Sequence, residues 1–250
     1  MEYTVQLNSL IKLFRQYMND DKDVTRFYAR CRDGTATYKD VYDLADKAGV
    51  KMSDLLKKQI LDQFPNGIPP EAVDAIIPPA LREQCDAVIA GADRVQAIVN
   101  KKAGVSLAPA EMHPDEDRIL GLADHFKESG FTDEATELIT NLAKATVDET
   151  IQANAEFQND SGMQVTVTRV YDDVGLNHGK DPCQWCLDRC GENVPYSAAV
   201  DMGMFERHPG CGCRIEYHTV KGTKIQSNWR RNVWMDSDAI LKWRRGLGLE

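Results

Sequence analysis

The sequence predicts an α+β protein, mainly α. A helical region covers 1–160, a small β-containing module with a cysteine cluster covers 161–220, and a basic Trp/Arg tail covers 221–250. Three observations carry this. Apolar residues recur at three-to-four spacing through the first 160 positions, the signature of amphipathic helices. β-Branched residues crowd together directly after Gly162, which favours a strand. Five of the seven cysteines fall between positions 183 and 213.

In the helical region, Leu7, Leu10, Ile11, Phe14 and Met18 place one apolar face on a helix over 5–18, and Asp33-Gly34 breaks the chain. Tyr38 to Ala48 and Ser53 to Phe64 read as a helix pair, with Gly49 closing the first and Ser53 capping the second. Pro65-Asn66-Gly67 is a turn. Pro69-Pro70 and Pro78-Pro79 bracket a short helix over 71–77, and a longer one runs from Ala80 to about Lys102 before Gly104. Asp115 to Ser129 is helical with Gly130 as its stop. The next helix begins near Asp133, buries Ala135, Leu138, Ile139, Leu142, Ala143 and Val147, and ends at Asn159-Asp160-Ser161-Gly162. Beyond it, Gln164 to Tyr171 is a strand, Asp172 to Pro182 a polar loop, and Arg214 to His218 a second, alternating strand.

Composition bounds the function. Hydrophobic residues at 42% and charged residues at 28% are ordinary for a globular chain, so a packed core is expected. No apolar run reaches the roughly 18 residues of a membrane span, and Met1-Glu2-Tyr3-Thr4 lacks the basic-then-apolar pattern of a secretory signal. The expectation is a soluble protein with no export address and no membrane partner. Thirty basic against 39 acidic residues give a net charge of −9, which excludes a general nucleic-acid coat. Only the tail, with seven basic and three acidic residues over 221–250, suits a polyanion. There Trp229-Arg230-Arg231 and Trp243-Arg244-Arg245 offer three readings: a helix packing its Trp face on the body, an anchor at a protein interface, or contacts to packaged DNA.

The cysteines point to metal. Their odd number and tight clustering argue against a secreted disulfide framework, and Cys31 and Cys85 read as small apolar groups in helices. Cys183-Gln184-Trp185-Cys186 is a C-x-x-C, in which one turn aims both sulfurs at a common centre. His208-Pro209-Gly210-Cys211-Gly212-Cys213 is an H-x-x-C-x-C whose glycines let the chain curl round an ion. Four thiolate or imidazole donors at about 2.0–2.3 Å form a closed structural zinc site. Soft donors exclude Mg²⁺ and Ca²⁺, though donor type alone leaves an iron–sulfur cluster open. Cys183, Cys186, Cys211 and Cys213 form the first donor set, with His208 in place of one of the last two as the alternative. Cys190 is a spare thiol one helical turn past Cys186. Against metal stand a redox C-x-x-C and a set of unliganded buried cysteines. No H-x-E or H-E-x-x-H accompanies Glu192, Asp201 or Glu206, so the zinc is expected to be structural, stapling a zinc-knuckle-like module too small to hold itself together.

The order Tyr171-Asp172-Asp173, Asp181-Pro182-Cys183-Gln184-Trp185-Cys186, Gly191, then Phe205 through Cys213 entering a strand resembles the Mu F-like phage minor head (head morphogenesis) proteins. The match covers about 50 residues (171–218). Gly212 departs from it, since the family often has Arg there, and so does the additional Cys190. The resemblance implies a low-copy virion component made in the host cytoplasm. It would act with phage portal and major capsid proteins in head assembly and sit near the portal inside the shell. The competing enzyme reading is a metal-dependent nuclease using His178, Asp181 and His208.

Overall fold

A computed structural model describes residues 3–64, 67–132, 134–171 and 182–219. The loop residues 172–181, with Asp172, Asp173, His178 and Asp181, lie outside them. So does the tail from 220 on, with Trp229, Arg230, Arg231, Trp243, Arg244 and Arg245. Six helices come first: α1 (Thr4–Asp20), α2 (Lys22–Arg32), α3 (Tyr38–Gln63), α4 (Pro70–Ala103), α5 (Glu116–Ser129) and α6 (Ala135–Asp160). The chain then alternates between β1 (Val165–Tyr171), α7 (Gln184–Leu187), β2 (Gly191–Pro195), α8 (Tyr196–Asp201) and β3 (Cys213–Thr219). Among the described residues the architecture is α+β and mainly helical, with one antiparallel sheet in the order β2-β1-β3. No helix among the described residues is long and apolar enough to cross a membrane.

Two expected breaks are absent, and packing explains both. The helix pair over 38–64 is the single helix α3. Gly49 does not close a helix; it lets α6 approach, because a Cβ there would lie 2.5 Å from Thr140 Cα. Ser53 caps nothing. It is buried, with its Oγ 2.8 Å from Thr136 Oγ1. Likewise Pro78 and Pro79 lie inside α4, which runs unbroken for 34 residues. Each proline removes a helical N–H, a loss worth about 3 kcal/mol in isolation. Burial of Ile76, Ile77, Ala80 and Leu81 around them holds the helix through that loss. Short α2 was not expected. Asp21 starts it by accepting from the backbone N–H groups of Asp23 (2.8 Å) and Val24 (3.0 Å).

The helices α3, α4 and α6 pack pairwise, α1 lies against α3 and α4, and α5 against α4. The sheet closes the end of this bundle through β3, which meets both α3 and α6. Alternation sets its inward face: Val165, Val167 and Arg169 of β1 and Cys213, Ile215 and Tyr217 of β3 are buried. β1 pairs with β3 in unbroken register from Val165↔Thr219 to Tyr171↔Cys213. The hydrophobic core crosses the sequence boundary at 160, joining Leu81, Ile139 and Val147 with Val167, Met204, Phe205 and Ile215. A buried polar net fastens the same joint. Gln158 Nε2 donates to Tyr217 (2.8 Å) and to Asn100 (2.7 Å), and Gln96 donates to Asn100 (2.7 Å).

Candidate metal centre

Cys183 and Cys186 stand at the start and in the body of the one-turn helix α7. The turn is closed by the Leu187 N–H donating to the Cys183 carbonyl at 3.1 Å, so both sulfurs face the same side. Opposite them a tight turn brings Cys211 N–H to the His208 carbonyl at 3.1 Å. Gly210 in that turn has φ +71°, the left-handed region that favours glycine. Cys213 opens β3 and is fixed by its register with Tyr171.

The donors converge. His208 Nε2 lies 3.0 Å from Cys186 Sγ and 3.4 Å from Cys183 Sγ, and Cys186 Sγ lies 3.7 Å from Cys211 Sγ. Cys183, Cys186 and His208 form one group whose ligand atoms all lie within 4.8 Å of one another, and Cys186, Cys211 and Cys213 form a second. Donors on arms of about 2.0–2.3 Å at tetrahedral angles stand roughly 3.3–3.8 Å apart. The separations of 3.4 and 3.7 Å fall in that range, and the 3.0 Å one has only to open slightly for the atoms to share one ion. All five predicted donors are therefore brought together, close enough to bind a metal. Cys190 is half-buried and packs against the cluster of Cys186, Cys211 and Cys213. Cys85 is buried between helices, as expected of a small apolar group, while Cys31 is only partly covered.

The imidazole is oriented for binding. His208 Nδ1 lies 2.6 Å from the Pro209 carbonyl, which accepts its proton and leaves the Nε2 lone pair directed at the sulfurs. The ring also meets Trp185 edge-on at 4.9 Å. Burial pushes the Cys186 thiol up to about 12, and neighbouring Cys211 adds to the shift. Hydrogen bonding from Cys213 holds Cys211 down to about 4, with Arg207 and Arg169 lending charge, while Cys213 itself is pushed up. Without a cation, the buried sulfurs resist ionising together.

Four residues behind the donors were not singled out from sequence. Arg207 donates to the carbonyls of Cys211 and Cys213, both at 2.7 Å, and holds Asp148 of α6 through Nε at 2.7 Å and Nη2 at 3.1 Å. Both side chains are 1% exposed. Burial works against the Arg207 charge and Asp148 more than compensates, raising its pKa. Tyr42 of α3 donates to Asp148 and accepts from the Ile215 N–H at 2.9 Å, which ties β3 into the same clamp. Arg169 is the fourth. Its position was legible, since alternation along Val165, Val167, Arg169 and Tyr171 puts a cation on the face that strand buries.

Of the histidines outside the cluster, His113 is exposed beside Glu111, and His125 lies edge-on to Phe126. Compared with known proteins, the chain matches no protein-family model, no curated protein and no solved structure.

Proposed function

We propose that the protein is a tailed-phage minor head protein, a structural virion component acting with portal and major capsid proteins in head assembly. A zinc ion held by four donors drawn from Cys183, Cys186, His208, Cys211 and Cys213 staples its C-terminal region. The observation that carries this reading is the meeting of two motifs distant in sequence: Cys186 Sγ stands 3.0 Å from His208 Nε2 and 3.7 Å from Cys211 Sγ. These are the C-x-x-C and H-x-x-C-x-C whose order along the chain resembles the Mu F-like proteins. Zinc suits the donor set because it takes sulfur and nitrogen in closed tetrahedral sites, supplying cross-linking strength and no redox chemistry.

A structural role agrees with the surroundings. His208 uses one ring nitrogen on Pro209 and turns the other to the thiols, which leaves neither for acid–base work. Arg207 commits all three of its nitrogens to Asp148 and to the Cys211 and Cys213 carbonyls, so it anchors the staple rather than facing a substrate.

Elemental analysis of the purified chain tests the first half, with zinc in one-to-one ratio expected. Absence of any transition metal overturns it. For the second half, co-expression with portal and coat proteins is expected to leave the chain in purified heads at low copy. Zinc-loaded protein that never enters heads, or that cuts plasmid DNA with added Mg²⁺ or Mn²⁺, overturns the assembly role.

A further inference from the structure

Arg169 is the one fully buried guanidinium among the described residues with no carboxylate partner. It is 1% exposed in the middle of β1. Its Nη1 donates to the carbonyls of Met204 (2.6 Å) and Glu206 (2.5 Å), its Nη2 to Cys211 Sγ (3.4 Å), and its Nε has no partner. The face of Trp185 lies 5.4 Å from the guanidinium carbon. A guanidinium does not shed its proton in a protein, and a buried charge needs an opposite one beside it. Arg207, the other buried guanidinium at this end, is balanced by Asp148. Arg189 and Glu206 pair with each other nearer the surface. The ionisable groups nearest Arg169 are the sulfurs of Cys213 and Cys211, with Asp148, already paired to Arg207, acting from behind.

Charge arithmetic then selects among donor sets. A divalent ion with four thiolates carries −2, with three thiolates and one imidazole −1, and with two of each zero. Only the middle sum is cancelled by a single guanidinium. We infer that the centre takes three thiolates and one imidazole, with Arg169 built in as its counter-ion. The inference rests on reading the cluster as a zinc site. Cys183, Cys186 and His208 already form one close group. Cys211 supplies the third sulfur, since its Sγ stands 3.7 Å from Cys186 Sγ, a separation that suits two sulfurs on one ion. Arg169 reaches both Cys211 and Cys213. Cys213 stays outside the coordination shell as a thiol.

Cobalt(II) loading of the full chain tests this, because the sulfur-to-cobalt charge-transfer band grows with each thiolate bound. Cys213→Ser is expected to keep the wild-type band. Arg169→Gln is expected to weaken cobalt binding by roughly 10- to 100-fold, the usual cost of losing an outer partner of a metal site, with Arg169→Lys recovering most of it. A band that drops by one thiolate in Cys213→Ser means four sulfurs and overturns the inference while leaving the zinc reading intact. Unchanged affinity in Arg169→Gln overturns the counter-ion role. Should Arg169→Gln fail to fold, the Cys213→Ser spectrum decides alone. A wild-type chain that binds neither cobalt nor zinc removes the zinc reading and this inference together.

Discussion

From Leu10 to Ala155 the interior is mainly aliphatic and aromatic side chains on helices, with Phe14, Tyr42, Leu56, Leu81 and Ile119 fully buried. At the cysteine end, the buried apolar side chains that stand apart from that core among the described residues are Cys186, Cys211 and Cys213. Yet Tyr196, Met204 and Phe205 from the same stretch join the main core. The two regions thus share one apolar body and differ at the rim. The helices are held by area removed from water, about 25 cal/mol per Å². The outer turn carrying the donors has fewer apolar neighbours and is held by charge pairing and hydrogen bonds, to which the proposed ion would add coordination. Stability of the first region follows packing. On the proposed reading, stability of the second follows the chemistry of sulfur and an ion.

The largest test of this contrast is metal removal. A chelator, or Cys186→Ser, is expected to remove on the order of 10 kcal/mol of local stability. Proteolysis should then cut within 182–213 while the helices resist. Cleavage spread evenly along the chain would break the contrast.

Next comes the joint. Asp148→Ala leaves Arg207 buried without its carboxylate, and a loss of about 3–5 kcal/mol in urea unfolding is expected. A loss below about 1 kcal/mol would mean the clamp is not what binds the regions.

Leu81→Ala, deep in α4, should cost about 2–5 kcal/mol, and the same amount with or without chelator. A chelator-dependent cost would show that the ion supports the helices too.

The smallest effect sharpens the contrast by pH. Burial raises the Glu149 carboxyl from 4.5 to about 7, against the pull of Arg118. Between those values the folded chain holds a proton that the unfolded chain has released. Stability therefore falls as pH rises from 4.5 to about 7 and is level above. Glu149→Gln is expected to gain about 1–2 kcal/mol at pH 8 and nothing at pH 4. A pH-independent gain would assign the effect to something other than this carboxyl.

Much of this was legible in the residues, for physical reasons that differ by site. The donors could be found because ligand spacing is local: C-x-x-C and C-x-C each put two sulfurs near one point whatever surrounds them. The helical stripes and β1 were legible because periodicity records which face meets the core. Strand β2 was not, as Gly191-Glu192-Asn193-Val194-Pro195 has neither alternation nor β-branched enrichment, and it forms only by pairing with β1. Nor was the continuity of α3 and α4, since glycine and paired prolines are breakers until a neighbouring helix occupies the space beside them.

Sequence by itself determined the class of the fold, the position of the strand-forming segment and the identity of the five converging donors. All of these depend on patterns within a few residues. Tertiary structure alone decided that Gly49 is a contact point, that Arg207 meets Asp148 and that Arg169 faces sulfur. Those depend on segments brought together from 42 to 91 positions apart. Chain connectivity carries no local trace of such meetings. They are selected only when the whole interior closes and each buried charge or cavity must be matched.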